Sequence, residues 1–279
     1  MRLPVNGAEL EVEVLGPEGA PVLIAHHGAP GLGSRSEPKA SFGGLADTYR
    51  VIVFDARGSG ASSDTPPYSH EQWAADVDAL REWAGAEQII MAGGSYGGFM
   101  SLEYTLRYPS RVRALVLRDT AAADRYHGQA RQRALDTDRT TIDMDKLDRS
   151  FAGQVRDNDD FKACWRAILP LYDYDYDPAK VDQRADSTSY HYATHNYAFG
   201  VNLPSYDLTP NLHEIACPTL ITVGRHDWIT PVEASEELAA RIPGSQLVIF
   251  EKSGHSPQIE EREAWLSVVR EFLAGAISR

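Results

Sequence analysis

The segment that decides the fold, residues 88–98, reads QIIMAGGSYGG. Its first residues form a short apolar run that predicts a buried strand, and the glycines that follow indicate a tight turn. A helical pattern continues from about Gly97 to Tyr108. A strand, a sharp turn and a helix in this order place the residue at the turn, Ser95, where a base can reach its hydroxyl. Ser95 is therefore the candidate nucleophile.

Short apolar runs of the same kind recur along the chain, with helical patterns between them. The predicted strands are residues 21–25, 50–54, 88–92, 112–117, 218–223 and 246–250. One predicted helix, 69–84, begins with a capping box formed by Ser69 and Gln72, and the last predicted helix covers 260–273. Alternating buried strands and helices predict an α/β fold with a doubly wound, mostly parallel sheet.

The alternation stops after Asp119 and resumes at Pro218. The stretch between them is rich in Asp, Arg and Tyr and shows no strand pattern, which predicts a helical cap inserted into the core. We therefore expect a first core part in residues 1–120, a cap in residues 121–212 and a second core part in residues 213–279.

The composition restricts the possible partners. A net charge of −13 over 279 residues repels nucleic-acid phosphates and anionic lipids, so we expect neither nucleic acid nor a membrane as a partner. Cys164 and Cys217 stand far apart, without the paired histidines of zinc sites, and we predict two free thiols and no metal or other cofactor. With no leader pattern at the start, we expect a soluble cytoplasmic protein. The oligomeric state stays open.

A base and an acid follow Ser95 in a functional order. Asp227 comes after the fifth predicted strand, and His255 comes after the sixth, in a loop before the last helix. The order Ser, Asp, His in these contexts predicts a catalytic triad, with Ser95 as nucleophile, His255 as its base and Asp227 as the acid that orients the base. The alternatives are Asp119 as the acid, at the end of the fourth strand, and His226 as a weaker base.

Acyl transfer also needs two backbone N–H donors for the developing oxyanion. One is expected from Tyr96, directly after the nucleophile. The other is expected from the loop after the first predicted strand, where residues 26–31 read HHGAPG and either Ala29 or Gly28 would donate.

A second glycine-rich loop follows the second predicted strand and reads DARGSGAS over residues 55–62. Its glycines lack the G-x-G-x-x-G spacing of dinucleotide-binding loops, and no helix opens directly after them. We therefore predict that Asp55 and Arg57 form a structural pair that braces the loops beside the site.

Together these motifs resemble the α/β-hydrolase superfamily over nearly the whole chain, and within it the proline iminopeptidase branch of serine aminopeptidases. Residues 27–31, HGAPG, are similar to the HGGPG of the branch, and residues 55–62 to its D-x-R-G-x-G-x-S. Residues 93–98, GGSYGG, are similar to its GGS-aromatic-GG. The resemblance implies the α/β-hydrolase fold and release of an N-terminal residue, often proline, without a cofactor. It assigns the oxyanion donors to Ala29 and Tyr96.

The resemblance also implies acidic residues, commonly glutamates, that hold the amino group of the substrate. In this chain Trp228 follows Asp227, and no Glu occurs between Glu103 and Glu214. An amine would therefore have to be held by aspartates of the cap. The candidate substrate-binding residues are Tyr172, Asp173, Asp175, Asp177 and Trp228.

Three functions are compatible with these residues. The first is an iminopeptidase-like aminopeptidase or amidase acting on small or short peptide substrates. The second is a carboxylesterase or lactonase with the same triad, and the third is a ligand sensor on a hydrolase fold. An amide has a poorer leaving group than an ester and needs firmer orientation, which an amine anchor would supply.

Overall fold

The computed structural model describes residues 1–277, and its strands form one eight-stranded sheet. The strands are β1 (Arg2–Val5), β2 (Ala8–Leu15), β3 (Val22–His26), β4 (Arg50–Phe54), β5 (Ile89–Gly94), β6 (Val112–Arg118), β7 (Thr219–Gly224) and β8 (Gln246–Phe250). Across the sheet they lie in the order β1-β2-β4-β3-β5-β6-β7-β8. Only the pairings of β1 with β2 and of β2 with β4 are antiparallel. The predicted doubly wound, mostly parallel sheet is confirmed.

Helices flank this sheet on two sides, each with its own apolar core. On one side pack α2 (His70–Trp83), α3 (Tyr96–Arg107) and α9 (Val232–Arg241), and on the other α1 (Ser36–Phe42) and α11 (Arg262–Ile277), which follows the short α10 (Pro257–Glu260). Half of the predicted capping box of α2 forms: Ser69 Oγ accepts a hydrogen bond from the Gln72 N–H at 3.2 Å, whereas the Gln72 side chain donates to Asp76 Oδ1 at 3.0 Å. Among residues 1–277, none of the helices is long and apolar enough to cross a membrane.

The first two strands are absent from the prediction. β2 does not form a continuous apolar run, because buried residues such as Leu10 and Val12 alternate with more exposed glutamates. Such alternation is typical of an antiparallel strand with one face in water. Fully buried apolar runs indicate the central parallel strands but not this edge of the sheet.

Between β6 and β7 the chain contains helices, turns and a single isolated bridge, Ala123–Asp207. The helices are α4 (His127–Asp136), α5 (Met144–Phe151), α6 (Asn158–Ile168), α7 (Val181–Asp186) and α8 (Tyr192–Tyr197). Residues between these helices touch the core backbone to backbone: a Cβ at Gly31 would clash with the carbonyl of His191, and a Cβ at Gly254 with that of Tyr172. We call this segment the cap; its boundaries at residues 121 and 212 stay predictions.

The predicted pair of Asp55 with Arg57 is wrong, because each residue has another partner. Asp55 accepts hydrogen bonds from the main-chain N–H groups of Arg35 and Ala61, at 2.6 and 2.8 Å, and also pairs with the Arg35 guanidinium. Arg57 forms a bidentate pair with Asp76 of α2, at 2.6 and 2.8 Å. The loop is therefore braced by two separate ion pairs. Cys164 and Cys217 are free thiols, as predicted.

The Arg57–Asp76 pair generates a prediction about stability. Both side chains are 1% exposed, so Asp76→Ala leaves a buried guanidinium without its counter-charge. We expect the free energy of unfolding to fall by about 3 kcal/mol or more in urea titrations. Asp47→Ala, which removes an exposed partner of Arg270, is the control and should leave the free energy of unfolding unchanged within error. Equal losses in the two variants would contradict the prediction.

Candidate active site

Ser95 occupies a strained turn between β5 and α3. Its φ of 54° and ψ of −127° lie in a region that non-glycine residues rarely adopt. The turn also needs close backbone contacts, because a Cβ at Gly97 would clash with the carbonyl of His26. Every residue from Ile89 to Thr105 is buried except Ser95. The fold thus presents one hydroxyl at the end of an otherwise buried strand and helix.

The side chains of His255 and Asp227 form a buried pair. His255 Nδ1 lies 2.8 Å from Asp227 Oδ2, which also accepts a hydrogen bond from Thr230 Oγ1 at 2.8 Å. The other carboxylate oxygen accepts from the N–H groups of Ile229 and Thr230, at 3.0 and 3.1 Å. Because a carboxylate accepts, we assign the imidazole proton to Nδ1, which leaves Nε2 as an acceptor.

This pairing shifts the pKa of both groups. Burial alone would lower the pKa of His255, but the charge of Asp227 and its hydrogen bond raise it above the ordinary value. Burial alone would raise the pKa of Asp227, but the charge of His255 and the hydrogen bonds to the carboxylate hold it below the ordinary value. Asp227 is therefore ionised at neutral pH and stabilises a protonated His255.

Asp119 is a second buried carboxylate close to this pair. One ligand atom of each of Asp119, Asp227 and His255 lies within 4.8 Å of the others. The oxygens of Asp119 accept from the Gly224 N–H at 2.9 Å and from Arg118 Nη1 at 3.0 Å. Burial raises the pKa of Asp119 to about 7, although the charge of Arg118 opposes this. The charge of Asp119 contributes to the raised pKa of His255, whereas Asp227 bonds the imidazole directly.

The loop after β3 lies against Ser95. A Cβ at Gly28 would be in van der Waals contact with Ser95 Cβ, at 3.6 Å. The ring of His27 fixes the loop from both sides, because Nδ1 lies 2.8 Å from the carbonyl of Gly28 and Nε2 accepts from the Ala56 N–H at 3.0 Å. Gly28 and Ala29 therefore lie beside Ser95, in the loop after β3, the strand that pairs with β5; their role as oxyanion donors stays a prediction.

Two cavities meet at Ser95. The first, the aromatic cavity, has a volume of about 40 Å³ and is lined mainly by Tyr96, Phe99, Ala121, Phe199 and Leu203. The ring of Tyr96 lies 5.1 Å from that of Phe99 and 5.8 Å from that of Phe199, and its hydroxyl lies 2.7 Å from His70 Nε2. One carboxylate also lines the cavity, that of Asp124, whose Oδ1 lies 2.9 Å from His127 Nδ1.

The second, the polar cavity, has a volume of about 350 Å³ and lies between the core and the cap. Its walls include Ser95 and His255, the loop with Gly28 and Ala29, and cap residues such as Tyr172 and Arg184. Arg118, 3% exposed, also lines it and donates to Glu37 Oε1 at 2.6 Å, to Asp119 and to the carbonyl of His255. Ser95 and His255 thus face one shared space.

Comparisons with known proteins agree with this fold and site. Residues 21–262 match the family model described as alpha/beta hydrolase fold. The chain belongs to the α/β-hydrolase fold family. Within it, the chain is 35% identical over 277 residues to "Proline iminopeptidase PfmaB" of Pestalotiopsis fici, covering 96% of this chain and 97% of the relative. The predicted resemblance to both the superfamily and its proline iminopeptidase branch is confirmed.

Solved structures of hydrolases share the fold. A meta-cleavage product hydrolase, CumD, superposes with a TM-score of 0.79 at 22% identity, covering 99% of this chain and 98% of that one. A thermophilic esterase from Thermogutta terrifontis superposes with a TM-score of 0.72 at 27% identity, with the same coverage. Of these two, CumD indicates the fold alone, since its identity is low.

Only some of the predicted substrate-binding residues lie at the cavities beside Ser95. Tyr172 lines the polar cavity, its carbonyl accepts from the His255 N–H at 2.7 Å, and its ring stands edge-on to that of His255. Trp228 is buried in the apolar cluster under the cap, stacked on Phe151, and lines neither cavity at Ser95. Trp228 therefore packs against the apolar side chains of the cap and stabilises its position in this hydrolase.

The three cap aspartates also lie away from the two cavities at Ser95, as far as residues 1–277 are described. Asp173 pairs with Arg184 at 2.7 Å, Asp175 is exposed, and Asp177 caps a short helical turn by accepting from the Ala179 N–H at 3.0 Å. The wall of the aromatic cavity instead contains Asp124, which the sequence analysis missed.

A signal for Asp124 was present in the sequence. It lies six residues after Arg118, the last residue of β6, and β6 pairs directly with β5, which leads into Ser95. Because the carboxyl ends of neighbouring parallel strands share one edge of the sheet, the first polar residues after β6 are candidates for the site. Glu37, Arg118 and Arg184, which line the polar cavity, were missed as well.

Replacing the acid tests its predicted role. Asp227→Asn keeps a polar group at Nδ1 but offers an N–H there, so the imidazole adopts the wrong tautomer. We expect turnover to fall by about four powers of ten in steady-state assays, while the fold is retained. Asp119→Asn is the matched control and should keep most of the activity. An active Asp227→Asn together with an inactive Asp119→Asn would assign the acid to Asp119.

Asp119→Asn should nevertheless change the pH dependence. Only neutral His255 can act as base, so kcat/KM rises with pH as His255 loses its proton, at a pH above its ordinary pKa of 6.5. The charge of Asp119 favours protonated His255, and removing it lowers the pKa of His255. We expect the acidic limb of the kcat/KM profile to move to lower pH in Asp119→Asn. An unchanged limb, or one moved to higher pH, would contradict this coupling.

Proposed function

We propose that this chain is a serine hydrolase that releases an N-terminal residue, proline above all, from small amides or short peptides. Ser95 is the nucleophile, His255 its base and Asp227 the acid that orients the base. The observation that carries the proposal is the aromatic cavity beside Ser95, which combines a small apolar interior with one carboxylate, that of Asp124.

The lining of the aromatic cavity suits the acyl half of such a substrate, and the cavity, about 40 Å³ in this structure, must widen to admit a prolyl ring. A prolyl ring is compact and saturated, and the faces of Tyr96, Phe99 and Phe199 offer it apolar contacts. Its ring nitrogen is protonated at neutral pH and needs an ionised carboxylate nearby, since an unpaired charge in an apolar site is costly. Asp124 supplies that carboxylate. The relative named proline iminopeptidase, matched over 97% of its length, supports this assignment.

The reaction proceeds in two steps. Ser95 Oγ attacks the carbonyl carbon as His255 Nε2 takes the hydroxyl proton, and Asp227 stabilises the imidazolium. The N–H groups of Tyr96 and of Ala29, or alternatively of Gly28, bind the oxyanion. His255 then gives the proton to the leaving amine, and the C–N bond breaks. Water, activated by His255, releases the acyl group and restores Ser95.

A carboxylesterase is the second candidate. The esterase from Thermogutta terrifontis is 27% identical and shares the fold over nearly the whole chain. An ester has a better leaving group and requires no amine anchor. The role of Asp124 therefore separates the two functions.

Asp124→Asn tests the proposal directly. On a prolyl anilide, the loss of the carboxylate leaves the substrate amine unpaired, which should cost about 2 kcal/mol or more and lower kcat/KM at least about 30-fold. On an acetyl ester, which has no amine, we expect no more than a small change. Both values come from the same steady-state assay. Asp173→Asn, a cap carboxylate outside both cavities at Ser95, is the matched control and should leave both substrates unaffected.

Ser95→Ala provides the second control, because it should abolish turnover of both substrates and labelling by a fluorophosphonate. Labelling that persists in this variant would exclude Ser95 as the nucleophile. If the wild type hydrolyses the ester far faster than the anilide, and Asp124→Asn affects both equally, the esterase is the correct assignment.

A further inference from the structure

The polar cavity is surrounded by unpaired hydrogen-bonding atoms. In the described part of the chain, eight buried side-chain nitrogen or oxygen atoms have no hydrogen-bond partner, and four of them belong to residues that line this cavity. These four are Glu37 Oε2, Arg118 Nε, Trp165 Nε1 and Gln258 Oε1. Two are donors and two are acceptors. Such clustering distinguishes this cavity from the aromatic cavity, whose lining is mainly apolar.

Buried polar groups in folded proteins are normally hydrogen-bonded. The residues that line this cavity also include Ser34 and Ser189, whose hydroxyls can both donate and accept, and the cavity therefore suits an occupant with both kinds of group. An amino acid or a short peptide has them, whereas the ring of an anilide does not. The volume of about 350 Å³ lies near the lower end of ligand pockets, which suits one or two residues.

The charges of the cavity wall favour an anion near the cap. Arg118 is compensated by Glu37 and Asp119, at 2.6 and 3.0 Å. Arg184, which α7 contributes to the same wall, has one acidic partner among the described residues, Asp173, and contacts it through Nη1 at 2.7 Å. A guanidinium has five N–H donors in a planar fork that matches a carboxylate. Arg184 therefore has donors left for a ligand.

We infer that the polar cavity binds the leaving group and that Arg184 binds a carboxylate there, so the preferred substrate is a dipeptide whose leaving group is a free amino acid. The inference rests on the proposed function. In the acylation step the peptide C–N bond breaks, the bond from Ser95 Oγ to the acyl carbon forms, and the amine departs with the proton from His255. The carboxylate on Arg184 is unchanged and positions the departing amine.

The experiment compares three substrates: prolylalanine, prolylalaninamide and a prolyl anilide. In the wild type we expect kcat/KM for prolylalanine to exceed that for prolylalaninamide at least tenfold. Arg184→Gln should lower kcat/KM for prolylalanine at least tenfold and change the other two less than threefold. The salt bridge between Arg184 and Asp173 is partly exposed and contributes little to stability, so this variant should fold normally.

Two variants serve as controls. Arg166→Gln removes an exposed arginine of the same cap, paired with Asp182, and should leave all three substrates unchanged. Asp173→Asn removes the partner of Arg184 but keeps the guanidinium, so the preference for prolylalanine should persist. A wild type that treats the acid and the amide alike, or an Arg184→Gln variant that loses activity equally on all three substrates, would overturn the inference.

Failure of the inference about Arg184 can be distinguished from failure of the proposed function. If the protein hydrolyses an acetyl ester but no prolyl substrate, the aminopeptidase assignment has failed, and the cavity is then tested by inhibition of ester turnover. N-acetylalanine should inhibit at least tenfold more strongly than N-acetylalaninamide in the wild type, and this difference should disappear in Arg184→Gln. Equal inhibition by the two compounds, or none, would overturn the inference.

Discussion

The backbone N–H of Ser95 lies within hydrogen-bonding distance of two carbonyls at the end of β6, those of Arg118 and Asp119, at 2.9 and 3.0 Å. This contact brings the strained turn against the neighbouring strand and sets where the hydroxyl emerges. It requires that β5 and β6 approach with nothing between them, and glycine on both sides of the serine makes this possible. A Cβ at Gly94 would clash with the Arg118 guanidinium, and one at Gly98 with Thr120.

The same strand end connects Ser95 to His255. The guanidinium of Arg118 donates to the carbonyl of His255 at 3.0 Å, to Asp119 and to Glu37 of α1. One buried cation thus ties together the end of β6, the histidine loop and the first helix. Its charge offsets that of Asp119, which is fully buried and would otherwise be costly, and also pairs with the half-buried Glu37. The geometry of the site is therefore fixed by the core, whereas the cap supplies the outer walls of the cavities.

The core was easier to predict from the sequence than the contacts of the loops and the cap. The six central strands and the turn at Ser95 were predictable, because buried runs and glycine spacing are local signals. The partners of Asp55 and Arg57 were not predictable, since neighbouring charges in a loop can face opposite ways, and here Asp55 pairs with Arg35 and Arg57 with Asp76. The cap aspartates illustrate the same limit: an acidic run indicates charge but not direction, and Asp173 turned out to pair with Arg184.

In the proposed arrangement each cavity recognises one charged end of the substrate. A carboxylate, Asp124, lines the cavity that would hold the acyl residue, and a guanidinium, Arg184, lines the one that would hold the leaving group. Ser95 belongs to both, so the scissile bond lies between an amine anchor and a carboxylate anchor. Two anchors fix the orientation of the amide relative to Ser95 and His255. This fixed orientation reduces the entropy that is lost on reaching the transition state. Because neither charge takes part in making or breaking bonds, the binding energy of both can be used to position a bond that is intrinsically hard to break.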